Sequence, residues 1–209
     1  MYERLGEDYI SKSFAWARQY APTGTLLVLN DANMLLEGIS VANADVDPRW
    51  LDQRTPRFQK NLEVARKLKQ QGVCDGLGFQ LHINAALPTF PDEVRSRLQA
   101  VVREGLVAVV TEFDVRVDEF AGNTNQKFQR QAELFEFWTE MLYRYGGCRM
   151  FNTFGLNDSN SWYVVDRSPS VYRPNAYATL LDDNFKPKPS YDRLVALLEK
   201  LLAEKQKRK

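Results

Sequence analysis

The stretch from Leu106 to Arg116, Leu-Val-Ala-Val-Val-Thr-Glu-Phe-Asp-Val-Arg, constrains the fold more than any other. Its continuous apolar run, rich in valine, has the signature of a strand buried on both faces of a parallel sheet. It then turns abruptly to charge at Glu112, Asp114 and Arg116. Side chains alternate along a strand, so Ala108, Val110, Glu112 and Asp114 are expected on one face. Carboxylates at the carboxyl end of a buried parallel strand are where an α/β barrel keeps its catalytic groups.

The rest of the chain repeats that arrangement. Glu7 to Tyr20 reads as a helix with Ile10, Phe14 and Ala17 on one face, and Thr25 to Asn30 as a buried strand. Asp31 to about Arg54 is long for a plain connection and reads as an active-site loop or lid. Thr55-Pro56 reads as an N-cap with proline at the first helical position, before a helix carrying Phe58, Leu62, Ala65 and Leu68. Asp75 to Ile83 is the second strand. Pro91 then opens a helix with Val94, Leu98 and Val101 on its buried side, ahead of the organising strand. Asn125 to Tyr145 is a helix with Phe128, Phe135, Trp138 and Leu142 in register, stopped by Gly146-Gly147. Cys148 to Phe154 reads as a fourth strand, and Pro189 opens a last helix with Leu194, Leu197, Leu198 and Leu201. Strict alternation of this kind predicts a parallel sheet with right-handed crossovers.

Composition narrows the function. The 209 residues suffice for one sizeable core, so residues 1–209 are read as a single domain. Lys+Arg 28 against Asp+Glu 27 leaves a net charge of +1, which gives no electrostatic case for a nucleic-acid partner. No apolar run approaches the roughly 20 residues of a membrane span. The polar, acidic start at Met1 does not read as a signal peptide. One histidine and two cysteines exclude a multi-histidine zinc site within the chain, and no cofactor is expected. Cys74 and Cys148, opening strands two places apart in one sheet, are about 10 Å apart on strand spacing and are expected as free thiols. No Gly-x-Gly-x-x-Gly follows any strand, which removes the dinucleotide-binding version of an α/β fold.

Polar residues collect at the strand ends: Asn30 and Asp31, then Gln80 and His82, then Glu112. Gln80 and His82 share a face by period two. Adjacent parallel strands lie about 4.8 Å apart, so His82 is expected within hydrogen-bonding reach of Glu112.

At these residues the chain resembles the family-10 glycoside hydrolases, the β-1,4-xylanases. The motifs are Gly78-Phe-Gln-Leu-His82, Thr111-Glu112-Phe-Asp114, Gly155-Leu-Asn-Asp-Ser-Asn-Ser-Trp162 and Asn184-Phe-Lys-Pro-Lys-Pro-Ser-Tyr191. Asn30-Asp31-Ala-Asn33 resembles the family's Asn-Asp-Tyr-Asn turn, and Tyr2 to Tyr9 the start of the helix after its fourth strand. The resemblance runs in order along nearly the whole chain. It implies the carboxyl-terminal half, about four βα units, of a (β/α)8 barrel.

The resemblance further implies that Glu112 is the nucleophile of a retaining mechanism and that His82 orients it. Asn30, Gln80 and Trp162 then contact the sugar next to the bond being cleaved. Xylan or a xylo-oligosaccharide is the implied partner, and the implied place of action is extracellular or periplasmic. Ala32 and Phe154 depart from the family's usual tyrosine and tryptophan. The family's acid/base lies in an Asn-Glu pair, and no such dipeptide occurs here. Retention needs two carboxyl groups about 5–5.5 Å apart, so this chain alone is expected to be inactive. Two other readings stay open. One is a non-catalytic xylan-binding or interaction fragment that associates with itself or with a missing amino-terminal half-barrel. The other is a barrel enzyme using Glu112 and Asp31 on a metal.

Overall fold

The computed structural model describes residues 8–32, 34–36 and 57–207. Thr55-Pro56, the segment reaching Arg54, Asn33 and the start at Tyr2 lie outside them. The described elements are α1 (Tyr9–Tyr20), β1 (Val28–Ala32), α2 (Arg57–Gln70), β2 (Gly76–Asn84), α3 (Pro91–Arg103), β3 (Val107–Arg116), α4 (Thr124–Gly146), β4 (Phe151–Thr153), α5 (Trp162–Val165) and α6 (Pro189–Lys207). The four strands form one parallel sheet in the order β1-β2-β3-β4. Among the described residues, no helix is long and apolar enough to cross a membrane.

Helices α2 and α3 bury the stripes their sequences prescribe, and α4 buries most of its own. Phe58, Leu62, Ala65 and Leu68 of α2 are buried, as are Val94, Leu98 and Val101 of α3. In α4, Phe135, Trp138 and Leu142 are buried. Asn123 caps α4 by accepting from the Gln126 N–H, and the Gln126 side chain accepts from the Asn123 N–H. Gly147 closes the helix at φ 59°, a left-handed conformation that costs glycine nothing.

Period two governs β2. Leu77, Phe79, Leu81 and Ile83 are buried in the helix-side core, while Gln80, His82 and Asn84 are half-exposed on the other face. Strand β3 breaks the alternation. Phe79 pairs with Val110, but Gln80 pairs with Glu112, so Thr111 is an extra residue. Such a bulge turns two consecutive side chains to one face and reverses the alternation beyond it. Ala108 and Val110 therefore join the helix-side core, whereas Glu112 and Asp114 face the other way with His82. Strict alternation, which places all four on one face, is wrong here for that reason.

The bulge also lets side chains meet across β2. Thr111 Oγ1 donates to Asn30 Oδ1 at 2.7 Å, passing over Gly78. A Cβ on Gly78 would stand 2.7 Å from Asn30 Oδ1 and 3.1 Å from Thr111 Cγ2, closer than side chains tolerate. Gly78→Ala is expected to break the Thr111–Asn30 bond and cost about 1–3 kcal/mol. Denaturant unfolding of the two proteins checks this.

Three expectations fail at the periphery. Ala17 of α1 is exposed, and the helix buries none of its residues. Leu198 of α6 is 49% exposed, on the side of the helix away from α4. The fourth strand is only Phe151–Thr153, and its register against β3 shifts at the same bulge, between Val110 and Phe113. Cys74 and Cys148 are free, their thiols donating to the Gly76 and Met150 carbonyls.

Candidate active site

The site lies where β2 and β3 run toward their carboxyl ends. His82 Nδ1 is hydrogen-bonded to Asp114 Oδ2 at 2.9 Å, and His82 Nε2 to Glu112 Oε2 at 3.1 Å. Both ring nitrogens face carboxylate oxygens; with both carboxylates ionised the doubly protonated ring satisfies both contacts, and a neutral ring does so when one carboxyl carries the proton. Glu112 keeps 24% of its side chain exposed, whereas Asp114 is fully buried. The three groups form a chain, Asp114–His82–Glu112, with its solvent-facing end at Glu112.

Asp114 is held by more than His82. Trp162 Nε1 donates to Asp114 Oδ2 at 2.8 Å, and Tyr163 Oη to Oδ1 at 3.5 Å. Burial lifts the Asp114 pKa above the usual carboxylate range, against these donors. Burial of His82 disfavours its charge, but the hydrogen bond to Asp114 and both carboxylates' charges outweigh it. The His82 pKa is therefore raised above 6.5. Burial and the neighbouring Asp114 charge raise the Tyr163 phenol well above its ordinary 10, so it stays a donor.

His82 is the chain's single histidine, so its ring resonance can be followed without ambiguity. Its NMR titration is expected to have a midpoint above 6.5 that falls in Asp114→Asn. A raised folded pKa contributes stability that is fully present below pH 6.5 and is lost as pH rises through the folded midpoint. The stability advantage of wild type over His82→Gln should shrink across that interval. An advantage constant from pH 5 to 9 would contradict the assignment.

Aromatic rings roof the chain. The Trp162 ring lies 4.7 Å from His82, and Phe154 lies 5.4 Å from it in an edge-to-face arrangement. Trp162 opens α5 and is half-buried, its ring tilted against those of His82 and Tyr163. Gln80 sits beside Glu112 across the β2–β3 ladder, and Asn30 projects from β1 on the same face, held by Thr111. All five residues singled out in the sequence, Glu112, His82, Asn30, Gln80 and Trp162, thus face one side of the sheet.

Asp31 does not join them. It projects from the helix side of β1, where Asn61 Nδ2 donates to it at 3.1 Å and Arg57 lies 3.9 Å away. The reading that pairs it with Glu112 on a metal fails, because adjacent residues of a strand face opposite ways. Asp158 is likewise committed elsewhere, in a buried ion pair with Lys188. Tyr172 lies under the Arg167 guanidinium, and Tyr177 meets Phe128 edge to face. Sequence reasoning missed Asp114 as the second partner of His82. Its signal was available: two residues beyond Glu112, it falls on the same face and one step further along the ladder.

The structure is a half-barrel of βα units with a carboxylate–imidazole–carboxylate chain under a tryptophan at the carboxyl ends of its strands. The chain belongs to glycosyl hydrolase family 10, whose model matches residues 49–197. It is 27% identical over 205 residues to endo-1,4-beta-xylanase B of Thermotoga neapolitana, covering 98% of this chain and 52% of that protein. It is 27% identical over 200 residues to an endo-1,4-beta-xylanase of Geobacillus stearothermophilus, covering 91% of this chain and 54% of that one. The native xylanase 10B of Thermotoga maritima superposes with a TM-score of 0.77 at 27% identity, over 97% of this chain and 55% of that structure. Xylanase 10B of Thermotoga petrophila, solved with xylobiose, gives 0.75 at 26%, over 95% and 54%. The chain spans about half the length of the curated relatives it matches. The fold is accordingly a partial (β/α)8 barrel.

Proposed function

We propose that this chain supplies the nucleophile half of a retaining, β-1,4-xylan-cleaving site. A Glu112 oxygen attacks the anomeric carbon as the glycosidic C–O bond breaks, the leaving oxygen taking the bonding pair and a proton. Water then attacks the same carbon, breaking the Glu112 ester and releasing a sugar of retained configuration. His82 holds Glu112 Oε2, so Oε1 is the attacking atom. Asn30 and Gln80 offer hydrogen bonds to the sugar hydroxyls, and Trp162 an apolar face to its ring. The proton donor is a carboxyl group that βα units outside this chain contribute, about 5–5.5 Å from Glu112. Extracellular or periplasmic action belongs to this reading on family resemblance alone.

The observation that carries this reading is the chain Asp114–His82–Glu112, which ends in a partly exposed carboxylate near the carboxyl ends of parallel strands. An aryl 2-fluoro-xylobioside tests it, because the activated leaving group departs with little acid assistance. Peptide mapping by mass spectrometry should find the sugar on Glu112. Label on Asp114 or Asp31, or none after prolonged exposure, would overturn the assignment.

A further inference from the structure

We propose that Asp158 and Lys188 are positioning residues, whose buried ion pair sets Trp162 against Asp114; the inference rests on the reading of Glu112 as nucleophile. Their side chains are 5% and 3% exposed, and Lys188 Nζ donates to both Asp158 oxygens at 3.0 Å. A third Nζ–H bond goes to the Tyr177 carbonyl at 2.8 Å. Asp158 Oδ1 also accepts from the Thr179 N–H at 3.0 Å and from its hydroxyl at 2.8 Å. Every ammonium proton is therefore used. A buried pair of this kind is weak evidence for stability, since desolvation offsets its attraction; its attested use is to fix register.

What it registers is visible in the connections. Asp158 opens a short turn, Asp158–Asn160, and Ser161 N–H donates back to the Asp158 carbonyl just before Trp162. Lys188 lies at the entry to α6, so the pair clamps both ends of the connection between β4 and that helix. Tyr177 adopts φ 44°, unfavourable for a residue with a Cβ. That conformation aims its carbonyl at two donors, Lys188 Nζ and Gln131 Nε2. Gln131, fully buried on α4, also donates to the Val115 carbonyl at 2.7 Å, and the Val115 N–H donates to Ala178. Val115 follows Asp114. The anchor thus reaches β3 next to the carboxylate on which Trp162 rests.

Local support for Trp162 comes from the backbone turn that starts at the Ser161 carbonyl and from the His82 and Tyr163 rings, not from a side-chain cap. Ser161, at the N-cap of α5, makes no side-chain cap bond, and its buried hydroxyl has no hydrogen-bond partner. Released from the anchor, the indole is expected to leave Asp114. His82 would then lose the ring that covers it.

The test is the double variant Asp158→Asn/Lys188→Met, which leaves no unpaired buried charge. In NMR, the Trp162 indole N–H, assigned with Trp162→Phe, should exchange with solvent at least tenfold faster than in wild type. The indole of Trp138, buried on α4, should not change, which separates local release from general loosening. Labelling of Glu112 should slow by a similar factor. Thr179→Val removes one donor to Asp158 without touching either charge and should shift the indole exchange in the same direction by less. Unchanged Trp162 exchange in the double variant overturns the inference; if that variant does not fold, unchanged exchange in Thr179→Val does so. Absence of label on the wild-type chain would overturn the proposed nucleophile instead, and the indole measurement does not depend on it.

Discussion

Glu112→Gln is expected to abolish the covalent sugar ester while leaving the fold intact. The amide fills the same space but removes the charge that faces His82, so stability should fall by only about 1–2 kcal/mol and unfolding should stay cooperative. Chemistry responds differently, because a neutral amide oxygen does not displace even an activated aryloxide. Labelling by the 2-fluoro glycoside should fall by a factor of about 10⁴ or more, the scale seen when a nucleophile is removed from a site whose parts act together. His82→Gln should slow labelling by about 10²-fold, because the attacking carboxylate remains but loses its orienting donor. Intact labelling in Glu112→Gln would show that another group carries the sugar. A reversed order of the two effects would make His82 the reacting residue and Glu112 its support.

The second large effect concerns the open sheet. Strands β1 and β4 are its edges among the described residues, and no residue of β1 is fully buried. On α6, Tyr191, Val195, Leu198 and Leu202 recur at helical spacing and are all exposed, a second apolar stripe beside the one packed on α4. On α1, Trp16 is 63% and Tyr20 79% exposed. Soluble monomers rarely leave such stripes uncovered. At about 25 cal/mol per Å², several hundred Å² of such surface is worth several kcal/mol, comparable to a domain's whole stability. The 209 residues alone are therefore expected to associate and to bind a hydrophobic dye. A separate chain carrying the amino-terminal four βα units of a family-10 relative should suppress both. It should also produce xylan hydrolysis that neither chain shows alone, because closure supplies the missing carboxyl group. Sedimentation, dye binding and release of reducing sugar measure the three effects. A monodisperse, cooperatively melting monomer that binds no dye would refute the open-barrel argument.

Much of this protein is local, and local physics is legible in a sequence. The period-two pattern of Leu77 to Ile83 and the helical stripes Phe58/Leu62/Ala65/Leu68 and Val94/Leu98/Val101 prescribe which faces are buried, whatever surrounds them. Alternation of such elements is enough for a parallel sheet. Polar residues at the strand ends are enough to bring His82 and Glu112 together, because strand spacing is nearly invariant.

Tertiary structure decided the rest. Val110-Thr111-Glu112 has no sequence mark of a bulge, so only the pairing of β2 with β3 shows that Ala108 and Glu112 lie on opposite faces. Leu198 fits the helical stripe of α6 as well as Leu197 does; which of them is buried depends on where α4 lies. Trp162 and Lys188 each sit in a recognisable motif, but Asp114 and Asp158, their partners, are chosen by contacts between segments distant along the chain. Backbone periodicity is a property of neighbouring residues and survives without the fold. Register, helix packing and buried ion pairs are properties of pairs far apart in sequence, and they exist only once the chain has closed on itself.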